Sequence, residues 1–378
     1  MSFALNDDQI AIRDMARSFA DEKIAPHALK WDEEKHFPID VIKEAASLGM
    51  AGIYVREDVG GSGLTRLDAA LIMEQLATGC PAVSAYISIH NMVSWMIDKY
   101  GSEAQRQQWL PRLVSMELLS CYCLTEPGSG SDAAALRTSA RREGDHYVLN
   151  GSKQFISGAG AGDLYLVMVR TGGDGPKGIS AVLVEKGTPG LSFGPNEKKM
   201  GWHAQPTRQV IFEECRIPVA NLIGDEGQGF KIAMAGLDGG RLNIGACSLG
   251  GAQAALEKAI TYASERKAFG QAINQFQSLQ FKLADMATSL EAARVMLYAA
   301  AAAYDRQDPD TTAKCAMAKR FASDTGSQVV DDALQVFGGY GYLHEYGVEK
   351  LVRDLRVHRI LEGTNEIMRL IVTRKLVG

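Results

Sequence analysis

Residues 119–151 read LSCYCLTEPGSGSDAAALRTSARREGDHYVLNG, and the fold turns on the residues that come after the glycines in this stretch. Gly128, Gly130 and Ala133 match the spacing G-x-G-x-x-A, and a β-rich run at Ser120–Leu124 precedes them, as in a dinucleotide-binding βαβ unit. That unit needs a helix to open at the glycines, because the helix N-terminus supplies the amide donors for a pyrophosphate. Here TSARREGDHYVLNG instead runs into Asn150-Gly151, a dipeptide that favours a two-residue hairpin turn and would join Tyr147–Leu149 to Phe155–Ile156. The doubly wound reading fails on context. The Gly/Ser-rich turn is then either a plain surface loop or a lining whose small residues expose backbone and hydroxyl donors to a ligand.

Working outward, the chain changes period twice. Upstream, Asn6 with Gln9 forms a capping-box pattern, and Ile12, Met15 and Phe19 fall on one helical face until Pro26 interrupts it. Helical patterns recur at Ile39–Leu48, closed by Gly49, and after the VGGSG loop at Thr65–Ala77, Ile87–Tyr100 and Glu103–Met116. Downstream, Leu164–Arg170, Ile179–Glu185 and Gln209–Phe212 read as strands separated by Gly and Pro clusters. From Gly229 the pattern is helical again, over Phe230–Arg266, Ser278–Arg306, Thr311–Phe337 and a final segment, Val348–Leu376, interrupted around Gly363. The predicted fold class is α+β and multidomain. An N-terminal all-α domain covers 1–118, a barrel-like or sandwich-like antiparallel β domain 119–227, and a C-terminal four-helix bundle 228–378.

Composition narrows the function. With 378 residues, 46% of them hydrophobic and 22% charged, the chain can bury a sizeable core and does not carry the signature of disorder. Its net charge of −5 leaves no basic excess for a nucleic-acid backbone. The longest apolar stretch, Val295–Tyr304, falls well short of the roughly 20 residues that span a bilayer, so no integral membrane association is expected. The opening MSFALNDDQIAIRD resembles neither a secretory nor a transit peptide, which predicts a cytoplasmic or already trimmed protein. The six cysteines are dispersed as buried thiols would be, and neither they nor the histidines sit at metal-ligand spacing, so no metal is predicted.

Two further motifs carry possible chemistry. Glu362, in RILEGTNEIMRL, precedes a glycine in the middle of a helical stretch. It reads either as a solvated helix end or as a general base displayed where the helix opens, its pKa raised by an apolar pocket. FGGYGY at Phe337–Tyr342 is either a helix C-cap or a place where a ring or phosphate approaches the backbone.

With these segments in view, the sequence resembles the acyl-CoA dehydrogenase family over essentially its whole length. The resemblance rests on YCLTEPGSGSDAA (122–134), FISGAG (155–160), LDGGR (237–241), ERKAFG (265–270), QVFGGYGY (335–342) and RILEGTNEI (359–367), in that order. It implies a helical domain, a β domain and a four-helix bundle, and homotetramers with one FAD per subunit, each flavin site partly supplied by a neighbour. It implies that Tyr122, Cys123, Leu124, Thr125, Glu126, Pro127, Gly128, Ser129, Gly130 and Ser131 line the flavin, with Phe155, Ile156 and Ser157 flanking its ring. Arg266, Phe276 and Gln277 would reach a neighbouring subunit's FAD. Gln335, Val336, Phe337, Gly338 and Gly339 resemble the segment facing its adenosine half, and Thr364, Asn365 and Glu366 further flavin contacts.

Ser131, Asp238, Gly239, Gly240, Arg241 and Arg374 match substrate-contacting positions of the family. Glu362 matches its usual catalytic base. In a minority of members the base lies just before the Arg of the LDxxR turn, where this chain has Gly240. The implied reaction is α,β-dehydrogenation of an acyl-CoA, with electrons passed to electron-transfer flavoprotein. Strings such as AYISIHNM (85–92) and QPTRQVIFE (205–213) resemble the branch of the family acting on short branched acyl groups.

Overall fold

In the computed structural model, which describes residues 5–377, six helices come first. They are α1 (Asp7–Phe19), α2 (Ala28–Glu34), α3 (Ile39–Ser47), α4 (Arg66–Gly79), α5 (Pro81–Tyr100) and α6 (Glu103–Val114). Three of them begin on reciprocal caps: Asn6 with Gln9, Thr65 with Asp68 and Ser102 with Gln105 satisfy the first free amides. Helices α4 and α5 are apolar nearly all round and are buried on almost every side.

A single eight-stranded sheet comes next: β1 (Ser120–Cys123), β2 (Ser139–Glu143), β3 (His146–Ser157), β4 (Leu164–Arg170), β5 (Ile179–Glu185), β6 (Leu191–Phe193), β7 (Thr207–Pro218) and β8 (Leu222–Ile223). Its order is β6-β7-β3-β2-β4-β5-β8, with β1 paired to β4. Two sequence expectations change here. The sheet is antiparallel except at β1, which runs parallel to β4 from Ser120↔Leu164 to Cys123↔Val167, with one parallel pair between β2 and β4. Asn150-Gly151 makes no hairpin, since β3 runs straight through it and the β2–β3 turn is Gly144-Asp145.

The reason lies in the neighbouring strand. The pairing of β3 with β7 steps by one residue between Leu149 and Gly151, where β7 holds an extra residue and Glu214 is left-handed at φ 48°. Asn150 bonds across to it, Nδ2 donating to Glu214 Oε1 at 2.7 Å and Oδ1 accepting from Glu214 N–H at 2.9 Å. Gly151 is required because a Cβ there would lie 2.7 Å from the Thr138 Cα. The turn chemistry is therefore used to seat a bulge inside the sheet.

The last part is α7 (Gly229–Glu265), a short turn carrying β9 (Lys267–Ala268) and β10 (Gln271–Ala272), then α8 (Gln277–Asp305), α9 (Thr311–Phe337), α10 (Val348–Arg356) and α11 (Asn365–Val377). The predicted fourth long helix is thus two shorter ones, broken between Val357 and Thr364.

Alternation along the strands separates two cores. Leu164, Leu166, Met168 and Leu183 face α5, α6 and the start of α7, where Met96, Trp109 and Ile232 meet them. Tyr165, Val167, Val169 and Val184 face the other way and form a core of the sheet's own with Val210 and Phe212. A third core is shared by the N-terminal helices and the C-terminal bundle. It depends on α7 presenting no side chain where α4 crosses it, since a Cβ at Gly250 would lie 2.0 Å from the Glu74 carbonyl oxygen. Gly250→Ala should therefore lower stability by about 1–3 kcal/mol or more, whereas Gly173→Ala, with open space at its Cβ position, should be near neutral. Denaturant unfolding of the two variants checks the difference.

Candidate active site

Where α10 gives way to α11, Glu362 and Gly363 both adopt left-handed backbone, at φ 54° and 93°. A non-glycine residue held there costs of order 1–3 kcal/mol, so the surroundings must impose it. Two cations hold the turn by its carbonyls. Lys319 Nζ donates to Gly363 O at 2.8 Å, and Arg241 Nε to Glu362 O at 3.4 Å. Arg241 is itself fixed by Asp238 at 2.6 Å, and Asp238 accepts from Thr312 Oγ1 at 2.7 Å.

The turn lays the Glu362 carboxylate against α7. A Cβ on Gly240 would fall 2.4 Å from Glu362 Oε2 and 2.9 Å from its Cδ, so the carboxylate occupies space that any other residue at 240 would fill. Oε2 is sealed from solvent and has no hydrogen-bond partner. Burial pushes the Glu362 carboxyl up to about 7, against the opposing charges of Lys319 and Arg241. Burial likewise brings the Lys319 ammonium down to about 8, with the Glu362 charge opposing.

Other buried polar groups near this carboxylate also lack partners. They include the Tyr122 hydroxyl, whose pKa burial raises with the Glu362 charge adding to the effect, and Asn243 Oδ1. Asn243 Nδ2 donates to Tyr54 OH at 3.2 Å. Arg66 packs face-on against the Tyr54 ring at 3.5 Å, both its terminal nitrogens unpartnered, and a Cβ on Gly239 would lie 2.5 Å from one of them. Unsatisfied buried polar groups are rare in folded proteins, and a cluster of them around a raised carboxyl marks a place built for a ligand.

The Gly/Ser-rich turn stands on its own buried ion pair. Glu126 accepts from the Arg137 and Thr138 N–H groups at 2.6 and 2.9 Å and from Lys153 Nζ at 2.7 Å, and Lys153 also donates to Leu124 O at 3.1 Å. Cys123, Leu124 and the Glu126 carboxylate thus face inward, as does Ser129, whose Oγ donates to Asp132 O at 2.7 Å. Pro127, Gly128, Gly130 and Ser131 form an exposed rim, with Thr125 half-buried beside it, and nothing lies within 4 Å of a Cβ on either glycine. Thr125 O accepts from Gln154 N–H at 2.8 Å, tying the rim to β3. There the left-handed Phe155 holds its ring 63% exposed while Ile156 turns into the core and Ser157 is half-buried.

The remaining expected cofactor residues separate from this group. Arg266 lines an open cavity of about 400 Å³ with Val336, Phe337, Gly338 and Gly339, while Phe276 and Gln277 come after the short β9–β10 turn and Gln335 is exposed on α9. At 1.5 Å of rise per residue, α9 carries Phe337 about 27 Å beyond Lys319. One chain therefore presents two part-sites well separated along one helix. Thr364 caps α11 through the Ile367 N–H at 3.3 Å, Glu366 is exposed, and Asn365 is engaged internally with Lys319, Ser323 and Asp324. Arg374 lies on the exposed last turn of α11, about 14 Å of helix rise from Asn365 and apart from the Asp238–Arg241 group.

Lys319, Tyr54, Arg66 and Asn243 were not singled out by the sequence patterns. A lysine among Cys315, Ala316, Ala322 and Ser323 at helical spacing is a cation on a small, apolar face, and that was the available signal for Lys319.

Three family models match in succession. They are described as the acyl-CoA dehydrogenase N-terminal domain over residues 6–117, middle domain over 121–215 and C-terminal domain over 227–377. The mitochondrial isobutyryl-CoA dehydrogenase of Dictyostelium discoideum is 61% identical, the match covering 99% of this chain and 90% of that one. The structure of butyryl-CoA dehydrogenase from Megasphaera elsdenii superposes with a TM-score of 0.97 at 40% identity, covering 100% of both chains. The FAD complex of PigA does so with a TM-score of 0.96 at 34% identity, covering 100% of this chain and 99% of that one.

Lys153→Met would strand the Glu126 carboxylate without its counter-charge and should cost about 3–5 kcal/mol in denaturant unfolding. Glu126→Gln in the same chain should recover part of that loss, and strict additivity of the two substitutions would contradict the pairing.

Proposed function

The chain belongs to the acyl-CoA dehydrogenase family, and from that premise we propose that it desaturates a short branched acyl-CoA thioester between Cα and Cβ. Isobutyryl-CoA would become methacrylyl-CoA, a step of valine breakdown, as the name of the Dictyostelium relative suggests for that protein. The observation that carries the reading is Glu362, a carboxyl raised to about 7 and placed among unpartnered polar groups on the bare backbone of α7.

FAD is the enzyme's cofactor. The residues present suit it, because the faces of Gly128 and Gly130 are open to a flat ligand and Phe155 holds an aromatic face outward on the adjoining strand. Tyr122 to Ser131, Phe155, Ile156, Ser157 and Thr364 to Glu366 would hold its flavin half, those with inward side chains contributing backbone or packing. When bound, FAD supplies the hydride acceptor that the protein lacks.

The protein's own part is proton removal and alignment. Glu362 as base takes the α-proton, and a pKa near 7 leaves it both ionised and basic enough at working pH. Its own N–H has no backbone acceptor among the described residues and would donate to the thioester oxygen as negative charge develops there. Arg241, fixed by Asp238, would contact the acyl-CoA together with Gly239, Gly240 and Ser131, and Arg374 its CoA portion.

The two part-sites lie too far apart to serve one flavin within a single chain. Arg266, Phe276, Gln277 and Gln335 to Gly339 would complete a neighbouring copy's FAD site, which supports a homotetramer. Electron-transfer flavoprotein is the proposed acceptor of the electrons. Among the described residues no helix is long and apolar enough to cross a membrane. The proposed compartment is the cytoplasm, or the mitochondrial matrix for a eukaryotic chain. The domain limits 1–118, 119–227 and 228–378 remain our proposed division.

Glu362→Gln should keep its yellow colour and lose about 10²–10⁴-fold in kcat, and near-normal turnover would remove Glu362 from its role. Since the base must be unprotonated, kcat of the parent enzyme should fall about ten-fold per pH unit below a limb near pH 7. Across isobutyryl-, 2-methylbutyryl-, butyryl- and isovaleryl-CoA, kcat/KM should be highest for isobutyryl-CoA, an ill-fitting methylene costing about 10–200-fold. A clear preference for butyryl-CoA would reassign the substrate.

A further inference from the structure

We propose that Lys319 is the positioning residue of the base, its buried ammonium both pinning the left-handed turn that presents Glu362 and serving as that carboxylate's counter-charge. This rests on the reading of Glu362 as the base.

Lys319 is fully buried in the middle of α9, and a buried ammonium is ordinarily paired with a carboxylate because desolvation costs several kcal/mol. Among the described residues it forms no ion pair. Its hydrogen bonds go to two neutral acceptors, Gly363 O at 2.8 Å and Asn365 Oδ1 at 3.0 Å, one and three residues after Glu362. The Asn365 amide cannot turn away. Its NH₂ group donates to Asp324 Oδ1 at 2.9 Å and Ser323 Oγ at 3.0 Å, and because Asp324 only accepts, the amide oxygen must face the lysine. Two residues of α9 thereby orient a third group onto a cation of the same helix, and that cation grips the turn.

The other charged or titratable groups around Glu362 do not substitute for this one. Arg241, from α7, is already paired with Asp238. Arg66, stacked on Tyr54, lies over the neighbouring Gly239, and Tyr122 from β1 and Cys247 from α7 are buried groups whose pKa values are held up. His358, in the turn before Glu362, is kept neutral by burial and by Lys319 itself, its pKa brought down to about 3. Asp324 lies beyond Asn365, and Glu366 is exposed on α11. Lys319 exerts the largest opposing influence on the raised Glu362 carboxyl. Without it the carboxylate would be harder to form and freer to leave its notch at Gly240.

The test uses flavin-loaded enzyme carrying Lys319→Met, Lys319→Gln or Lys319→Arg, with Glu362→Gln as reference. Removing a positive charge raises a carboxyl pKa, so both neutral variants should move the ascending limb of kcat upward by about one pH unit, a loss of about five-fold at pH 7 that approaches ten-fold below it, with KM little changed. Lys319→Arg should leave the limb near the parent's. The carboxyl band that disappears in Glu362→Gln, followed by infrared pH titration, should shift by the same amount without any need for turnover. Lys319→Gln can still donate to Gly363 and guards against loss of folding in the methionine variant. A lower unfolding midpoint with limb and infrared midpoint unmoved would overturn the proposal and leave Lys319 a packing residue. Normal turnover in Glu362→Gln would instead overturn the assignment of the base.

Discussion

Taking a carboxyl group out of water without a hydrogen-bond partner for one of its oxygens costs several kcal/mol unless the group takes a proton. At Glu362 this cost is held in place, and the surrounding elements are arranged to sustain it. Gly240 gives the group room, Lys319 and Arg241 hold the two carbonyls of its turn, and the buried Tyr122 hydroxyl on the sheet feels its charge. They come from three elements: Gly240 and Arg241 from α7, Lys319 from α9 and Tyr122 from β1. The site therefore exists only when both helical regions and the sheet are packed together, and the cores that run from α5 and α6 into the sheet, and from α4 into α7, hold them so.

The same dependence explains the long, glycine-bearing α7. A helix bare at Gly240 for the carboxylate is also bare at Gly250 for α4, so one element sets the distance to the base and the distance to the neighbouring helices. Closeness is achieved by leaving side chains out, at the cost of helix propensity that tertiary packing offsets.

Much of this is legible in the residues alone. Strands at Leu164–Arg170 and Ile179–Glu185 and the helix at Thr311–Phe337 were bounded correctly because their runs of one period end at Gly, Pro or a change of polarity. Glu362 before Gly363 already suggested a helix that opens. Asn150-Gly151 misled because a turn dipeptide reports local backbone preference, whereas the use made of it was decided by Glu214, 64 residues away. Lys319 and Arg66 went unseen for a related reason. Their meaning lies in lacking an ionic partner, and no run of neighbours in sequence records that. The inward-facing Glu126 is the converse case, a motif residue whose side chain organises the loop while its backbone N–H and C=O close the turn onto Ser129.

Strands β3 and β7 carry a consequence for how the chain can change in length. Each is 12 residues long, and each contains one residue the other does not match, β7 near Glu214 and β3 between Lys153 and Ile156. The offsets cancel, so the strand ends stay in step while the middle is displaced by one. Parity along β3 therefore inverts at the second offset, which is why Phe155 faces out although Lys153, two positions before it, faces in. Losing one residue there would exchange the surroundings of Phe155 and Ile156 and shift everything beyond them. Exposed loops can change in length without disturbing this register, but in these two strands an insertion or deletion keeps the ends in step only as a compensating pair.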